Sequence, residues 1–125
     1  MGTHGLLLSV LVAALIFEFI NGFHDTANAI ATTVYTRALP ARTAILLSAA
    51  MNFLGALTSE SVAMTIATGL VAVQLDLDVI LAALIGAIVW DLFTWWRAIP
   101  SSSSHALIGS LIGATIVFTG GTSDV

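Results

Sequence analysis

Residues 6–32 read LLLSVLVAALIFEFINGFHDTANAIAT, and what solvates this stretch decides the fold. Leu6 to Ile20 is apolar except for Ser9 and Glu18. Asn21-Gly22 is a turn-prone pair, so the first span is expected to end there. The polar block His24-Asp25-Thr26-Ala27-Asn28 follows, then an apolar-leaning stretch to Tyr35. Glu18, Asn21, Asp25, Asn28 and Thr32 nonetheless stand at spacings of 3, 4, 3 and 4. On a continuous helix all five share one face; a break at Asn21-Gly22 would remove Glu18 from it. A carboxylate at the bilayer centre costs roughly 2.5–3.5 kcal/mol on insertion scales. A stripe holding two of them therefore needs protein or water against it, not lipid. It reads either as a site for a cation, a proton or a ligand with its counter-ion, or as an interhelical hydrogen-bond seam.

Composition makes lipid the solvent. Of 125 residues, 58% are hydrophobic and 8% charged, where a soluble domain carries about 25% charged residues. Mean hydropathy is +1.06. Such a chain cannot clothe a soluble surface, but it is stable where apolar side chains face outward into lipid. Three basic residues against seven acidic ones give a net charge of −4, which excludes the basic patch that nucleic-acid binding needs. Absence of cysteine excludes disulfides and thiolate metal sites. The N-terminus lacks the basic segment of a signal peptide, so the first apolar stretch reads as a retained span.

Beyond Tyr35, a connection carries Arg37, Pro40 and Arg42. The run from Ala41 to about Val73 is mostly apolar, interrupted by Thr58-Ser59-Glu60-Ser61. Its length suits one long tilted helix or a broken one. Asp76 and Asp78 mark a polar turn, and Val79 to Trp96 is a further span with Asp91 near its end. At that position Asp91 reads as a surface or interface carboxylate. Three crossings would put Arg37, Arg42 and Arg97 on one side, cytoplasmic by the positive-inside rule, and the N-terminus outside. Trp90, Trp95 and Trp96 fit an interfacial aromatic belt on the arginine side. Ser48, Asn52, Gly55 and Ser59 share a face, and Gly109 and Gly113 form a G-x-x-x-G pair; both read as helix packing.

The last apolar run, Ala106 to Phe118, is short for a span and suits a re-entrant or half helix. Pro100-Ser101-Ser102-Ser103-Ser104-His105 opens it. A helix N-terminus carries unpaired N–H groups and about half a positive charge. Serine hydroxyls add donors, which makes an anion site without lysine or arginine. One serine would suffice for an N-cap; four and a histidine exceed that need. His24 and His105 could pair on a metal, but a histidine near a break more often takes a hydrogen-bond partner, and no metal site is assigned. His4, at the chain end, carries no reading.

Asn21-Gly22-Phe23-His24-Asp25-Thr26-Ala27-Asn28-Ala29 closely resembles the signature of the inorganic phosphate transporter (PiT) family. Pro100 to Gly109, PSSSSHALIG, resembles that family's second motif in the same half. The match covers the whole chain but only the N-terminal half of a member. The resemblance implies an all-α, polytopic membrane bundle with broken or re-entrant helices, residues 1–125 being one of two inverted repeats with the second absent. It implies secondary active transport of inorganic phosphate coupled to a cation. Asn28 and Ser101, Ser102, Ser103 and Ser104 are then substrate-binding, and Asp25, Asn28 and Glu18 serve the coupling ion. Many members have Asn where this chain has His24. The His-Asp form resembles bacterial low-affinity members, associated with protons and metal-phosphate complexes, and favours a proton over sodium or a divalent cation.

Expected partners are phosphate, the bilayer of the cell membrane and the C-terminal repeat of the same protein; a homo-oligomer stays open. No organic cofactor is expected. Alternatives are a transporter of another oxyanion such as sulfate, or a non-transporting helical subunit. An intramembrane hydrolase is disfavoured, because no strained nucleophile motif such as G-x-S-x-G accompanies His24-Asp25 and the serines.

Overall fold

The computed structural model describes residues 3–58 and 76–120, and among these every regular element is α-helical. In chain order they are α1 (Thr3–Tyr35), α2 (Ala41–Thr58), α3 (Leu77–Trp96) and α4 (Ser103–Thr119). The expected break at Thr58-Ser59-Glu60-Ser61, and Ser59 of the α2 face, lie outside the described residues beyond Thr58.

α1 does not end at Asn21-Gly22; it runs unbroken for 33 residues. An interior glycine costs a helix only about 1 kcal/mol. An interrupted ladder in hydrocarbon leaves several backbone groups without water, at several kcal/mol each. Continuity therefore wins over turn propensity, and the stripe from Glu18 to Thr32 stays on one helix. At ~1.5 Å per residue α1 is about 50 Å long, well beyond the ~30 Å hydrocarbon thickness. α1 and α3 are both long and apolar enough to cross a membrane, and α2 and α4 are shorter apolar helices.

Both helix exits use the same stop. After α1, Arg37 N–H donates to Val34 O and Ala38 N–H to Thr33 O; after α3, Ala98 N–H donates to Trp95 O and Ile99 N–H to Thr94 O. These paired bonds close the last turn as Schellman motifs. The pattern needs a left-handed residue, supplied here by Arg37 (φ 59°) and Ala98 (φ 52°). Pro40 and Pro100 follow and prevent continuation. α4 instead ends on Gly120, at φ 74°.

The chain forms two compact units, residues 1–22 with 71–125, and residues 23–70. In the first, the core is Ala13 and Phe17 of α1, Leu84 and Ala87 of α3, and Ala106 of α4. The alanines let the backbones approach, which is how helices associate where lipid is as apolar as leucine. Large apolar side chains point outward: Leu15, Phe19 and Trp96 are each more than 70% exposed. Hydroxyls on the spans bond back to their own helix, as Ser9 to Gly5 O (3.0 Å) and Thr115 to Leu111 O (2.8 Å), so they need no water. The Arg97 guanidinium lies 5.9 Å from the Trp96 ring centroid at the end of α3, as an interfacial belt would place it. In the second unit, the later part of α1 turns through residues 36–40 into α2. Asn52 and Gly55 of α2 are exposed and Ser48 is half-buried. The expected packing face is thus not covered by the described residues.

Candidate functional site

α3 and α4 form an antiparallel hairpin whose turn carries the serines. α4 starts at Ser103, three residues before the apolar run that opens at Ala106. Ser102 is the N-cap, extended at φ −109°, ψ 117°, and its Oγ accepts from His105 N–H. The first intrahelical bond runs from Ala106 N–H to Ser102 O at 3.0 Å. The amides of Ser103 and Ser104 precede it, and the start of the helix carries the positive end of the dipole.

A groove of about 500 Å³ opens beside this terminus, lined by Gly86 and Trp90 of α3, Ser101 and Ser102 of the turn, and His105, Gly109 and Ser110 of α4 among others. Two hydrogen bonds set its rim. Trp90 Nε1 donates to Ser101 Oγ at 3.2 Å, and His105 Nδ1 lies 2.9 Å from Ser102 Oγ. His105 thus takes the hydrogen-bond role, and its partner is the cap. The four serines separate. Ser101 and Ser102 line the groove, Ser104 is exposed, and Ser103 turns inward, 2% exposed, with an Oγ that meets no hydrogen-bond partner. Ser103 is not among the residues that line the groove.

The close approach of the hairpin is not at the G-x-x-x-G pair. A Cβ on Gly109 or Gly113 would meet nothing within 4 Å, whereas one on Gly86 would lie 3.1 Å from Ser110 Oγ. Gly86 is the glycine that the packing requires. Gly109 and Gly113 instead floor open grooves on either side of it, the second being about 440 Å³ and largely apolar, with Asp78 at its margin.

On α1, the described residues leave most of the stripe uncovered. Glu18, Asp25, Asn28 and Thr32 are exposed and Asn21 half-buried, while Ala13, Phe17, Ile20 and His24 are buried. His24 is 6% exposed, and neither ring nitrogen has a hydrogen-bond partner. Among the described residues no three His, Cys, Asp or Glu side chains gather as a metal cage.

Asp91 is a correction. It is not a surface or interface carboxylate but fully buried, at 0% exposure, with Thr94 at 1% beside it. The signal was present: Leu84, Ala87, Asp91 and Thr94 repeat at spacings of 3, 4 and 3 and are all buried, the arithmetic that defined the α1 stripe.

A sequence model of the phosphate transporter family matches residues 21–125. The chain is 55% identical over 116 residues to a probable low-affinity inorganic phosphate transporter of Mycobacterium bovis, covering 92% of this chain and 28% of that protein. A probable low-affinity inorganic phosphate transporter of Bacillus subtilis strain 168 is 54% identical over 118 residues, 92% of this chain and 35% of its own length. The low-affinity inorganic phosphate transporter of Escherichia coli strain K12 is 46% identical over 116 residues, 86% and 23% respectively. The chain thus spans between about a quarter and a third of these relatives, which are named as transporters rather than enzymes. No solved structure matches it. With the family model covering most of its length and relatives this similar, the chain belongs to the phosphate transporter family.

Proposed function

We propose that this chain supplies part of a secondary transporter that moves inorganic phosphate across the cell membrane together with a cation, a proton being favoured. The observation that carries the reading is the α4 N-terminus opening on a hydroxyl-lined groove between Trp90 and Ser110. Such a terminus suits a tetrahedral oxyanion, which can accept several N–H and O–H bonds at once. Ser101 and Ser102 act through hydroxyls, and Ser103 and Ser104 through amides.

Donors of this kind bind oxygens without neutralising the charge they carry. The coupling cation does that, and Asp25 is its acceptor on α1, with Asn28 and Glu18 on the same stripe. A protonated Asp25 can donate a hydrogen bond; an ionised one repels an anion or holds a cation. Coupling then follows from charge, because an anion moved together with a cation carries less net charge across the bilayer. Exposure of the stripe supports a further element of the reading: the remainder of the full-length protein, a second repeat, covers that face and completes the pathway.

The test uses the full-length protein that carries this segment, in cells without other phosphate uptake. Asp25→Asn should abolish phosphate accumulation while the protein still reaches the membrane. Normal accumulation by that variant removes Asp25 from the mechanism. Excess sulfate should not compete; if it does, the substrate class is broader than phosphate.

A further inference from the structure

Among the described residues, His105 is the one ionisable side chain that lines the groove at the α4 N-terminus. The reading above gives that groove hydroxyls and amides but no charged side chain. α4 carries no other ionisable residue. The other ionisable side chains described in the same compact unit are His4 and Glu18 of α1, Asp76 and Asp78 at the start of α3, Asp91 within it and Arg97 after it. Asp91 is fully buried and the rest are exposed, Arg97 beside the Trp96 ring. Asp78 borders the second, apolar groove instead. None of these lines the groove with His105.

Ser102 ties this histidine to whatever the groove holds. A serine hydroxyl has one hydrogen to give and two lone pairs. One lone pair accepts the His105 backbone N–H at 3.4 Å, and His105 Nδ1 lies 2.9 Å from the same oxygen. If Nδ1 is bare, it accepts the serine hydrogen, and Ser102 can show an oxyanion only a lone pair. If Nδ1 carries a hydrogen, it donates to Ser102, and the serine hydrogen is free to donate into the groove. One of the two neutral tautomers has a bare Nδ1, whereas both nitrogens of the imidazolium are donors. One proton taken from solvent therefore does two things. It fixes Ser102 as a donor toward the groove, and it sets a positive charge among the groups that meet the anion. Histidine is the side chain type whose charge changes between about pH 5 and 8.

We propose that His105 is a proton-linked positioning residue: when protonated it donates through Nδ1 to Ser102 Oγ and turns that hydroxyl's hydrogen toward phosphate in the groove. This rests on the phosphate reading of the groove and adds control by pH to it. It is distinct from the Asp25 stripe. Linkage makes the effect reciprocal, so a proton on His105 tightens phosphate by the factor by which phosphate tightens the proton. Phosphate KM therefore rises as pH is raised and His105 loses its charge.

The experiment is phosphate KM for full-length protein in proteoliposomes, measured across about pH 5 to 8. Phosphate changes its own protonation in this range, but identically for every variant, so the readout is the difference between wild-type and variant profiles. The Asn amide nitrogen can stand where Nδ1 does and donate to Ser102 at any pH, while Gln carries its donor one bond further out. His105→Asn and His105→Gln should both flatten the profile, wild-type KM rising at least about fivefold more across the range than theirs, the scale of ordinary site–site coupling. His105→Asn should keep the lower KM of the two variants, because only its donor reaches Ser102. A histidine that merely supported the fold would change the amount of protein without moving the pH profile. The proposal is overturned if either variant keeps the wild-type pH dependence, or if Asn and Gln give the same KM throughout. Ser102→Ala separates the two levels of the reading. A wild-type KM in that variant removes phosphate from the groove and the proposal with it. A raised KM there, beside a wild-type pH profile in His105→Asn, overturns the role of His105 alone.

Discussion

His105 Nδ1 lies 2.9 Å from Ser102 Oγ, so the residue that caps α4 is also held by a side chain one turn inside it. The same oxygen accepts the His105 backbone N–H at 3.4 Å. One hydroxyl thus serves the helix start and the rim of the groove, and changes at position 102 should separate those roles. Ser102→Ala should cost about 0.5–2 kcal/mol of stability, the usual cost of losing a cap, and raise phosphate KM. Ser102→Thr should recover most of the stability. Thermal unfolding in detergent and uptake kinetics on the full-length protein check the two halves.

Trp90 holds Ser101 through Nε1 at 3.2 Å and packs on Phe93, ring centroids 6.1 Å apart. Trp90→Phe keeps an aromatic ring and deletes the donor. Such a bond is worth about 0.5–1.5 kcal/mol when buried and less at this exposed position, so stability should barely move. Phosphate KM should rise because Ser101 is no longer fixed. A large loss of stability with unchanged KM would show that Trp90 matters as a packing group only.

Gly86 is where side-chain volume is excluded. A Cβ there already meets Ser110 Oγ at 3.1 Å, and Gly86→Val adds branches that the hairpin can accept only by separating. Overpacking of this kind costs about 1–3 kcal/mol. The groove should lose its shape with it, so uptake per transporter should fall. Gly113→Ala, where a Cβ meets nothing within 4 Å, should be close to neutral; a deficit equal to that of Gly86→Val would locate the helix contact at the G-x-x-x-G pair after all.

Ala98 sits at φ 52° in the turn before the serines. An L-residue in the left-handed region costs about 1–2 kcal/mol, partly offset by the greater chain entropy glycine loses on folding. Ala98→Gly should therefore raise the melting temperature slightly and leave uptake unchanged. A lowered melting temperature would mean that the Ala98 side chain contributes packing that outweighs its backbone strain.

What could be read from residues alone followed the strength of local signals. The serine run announced the start of α4 because caps and helix dipoles act within one turn. The α1 stripe was legible because its spacing is helical whatever surrounds it. Asn21-Gly22 misled because turn propensity is a property of aqueous chains, while a membrane helix loses more by opening its ladder. Asp91 stands near the end of a span, where a carboxylate can usually reach water, but its spacing of four from Ala87 puts it on the buried face. His24 stands out in the sequence beside Asp25, but its burial depends on tertiary packing, as does the contact of Gly86 rather than Gly109 with the facing helix. The division of the serines, two lining the groove and Ser103 turned inward, follows from where the cap falls, and a shift of one residue would have reassigned each of them.

The central claim is that the groove at the α4 N-terminus holds the transported anion. Its most direct test is the phosphate KM of full-length Ser101→Ala/Ser102→Ala, measured with the amount of protein in the membrane. Each lost hydroxyl bond to a charged oxygen is worth about 1.5–3 kcal/mol, so KM should rise at least about tenfold at comparable membrane levels. A wild-type KM in that double variant would contradict the assignment of the groove to phosphate.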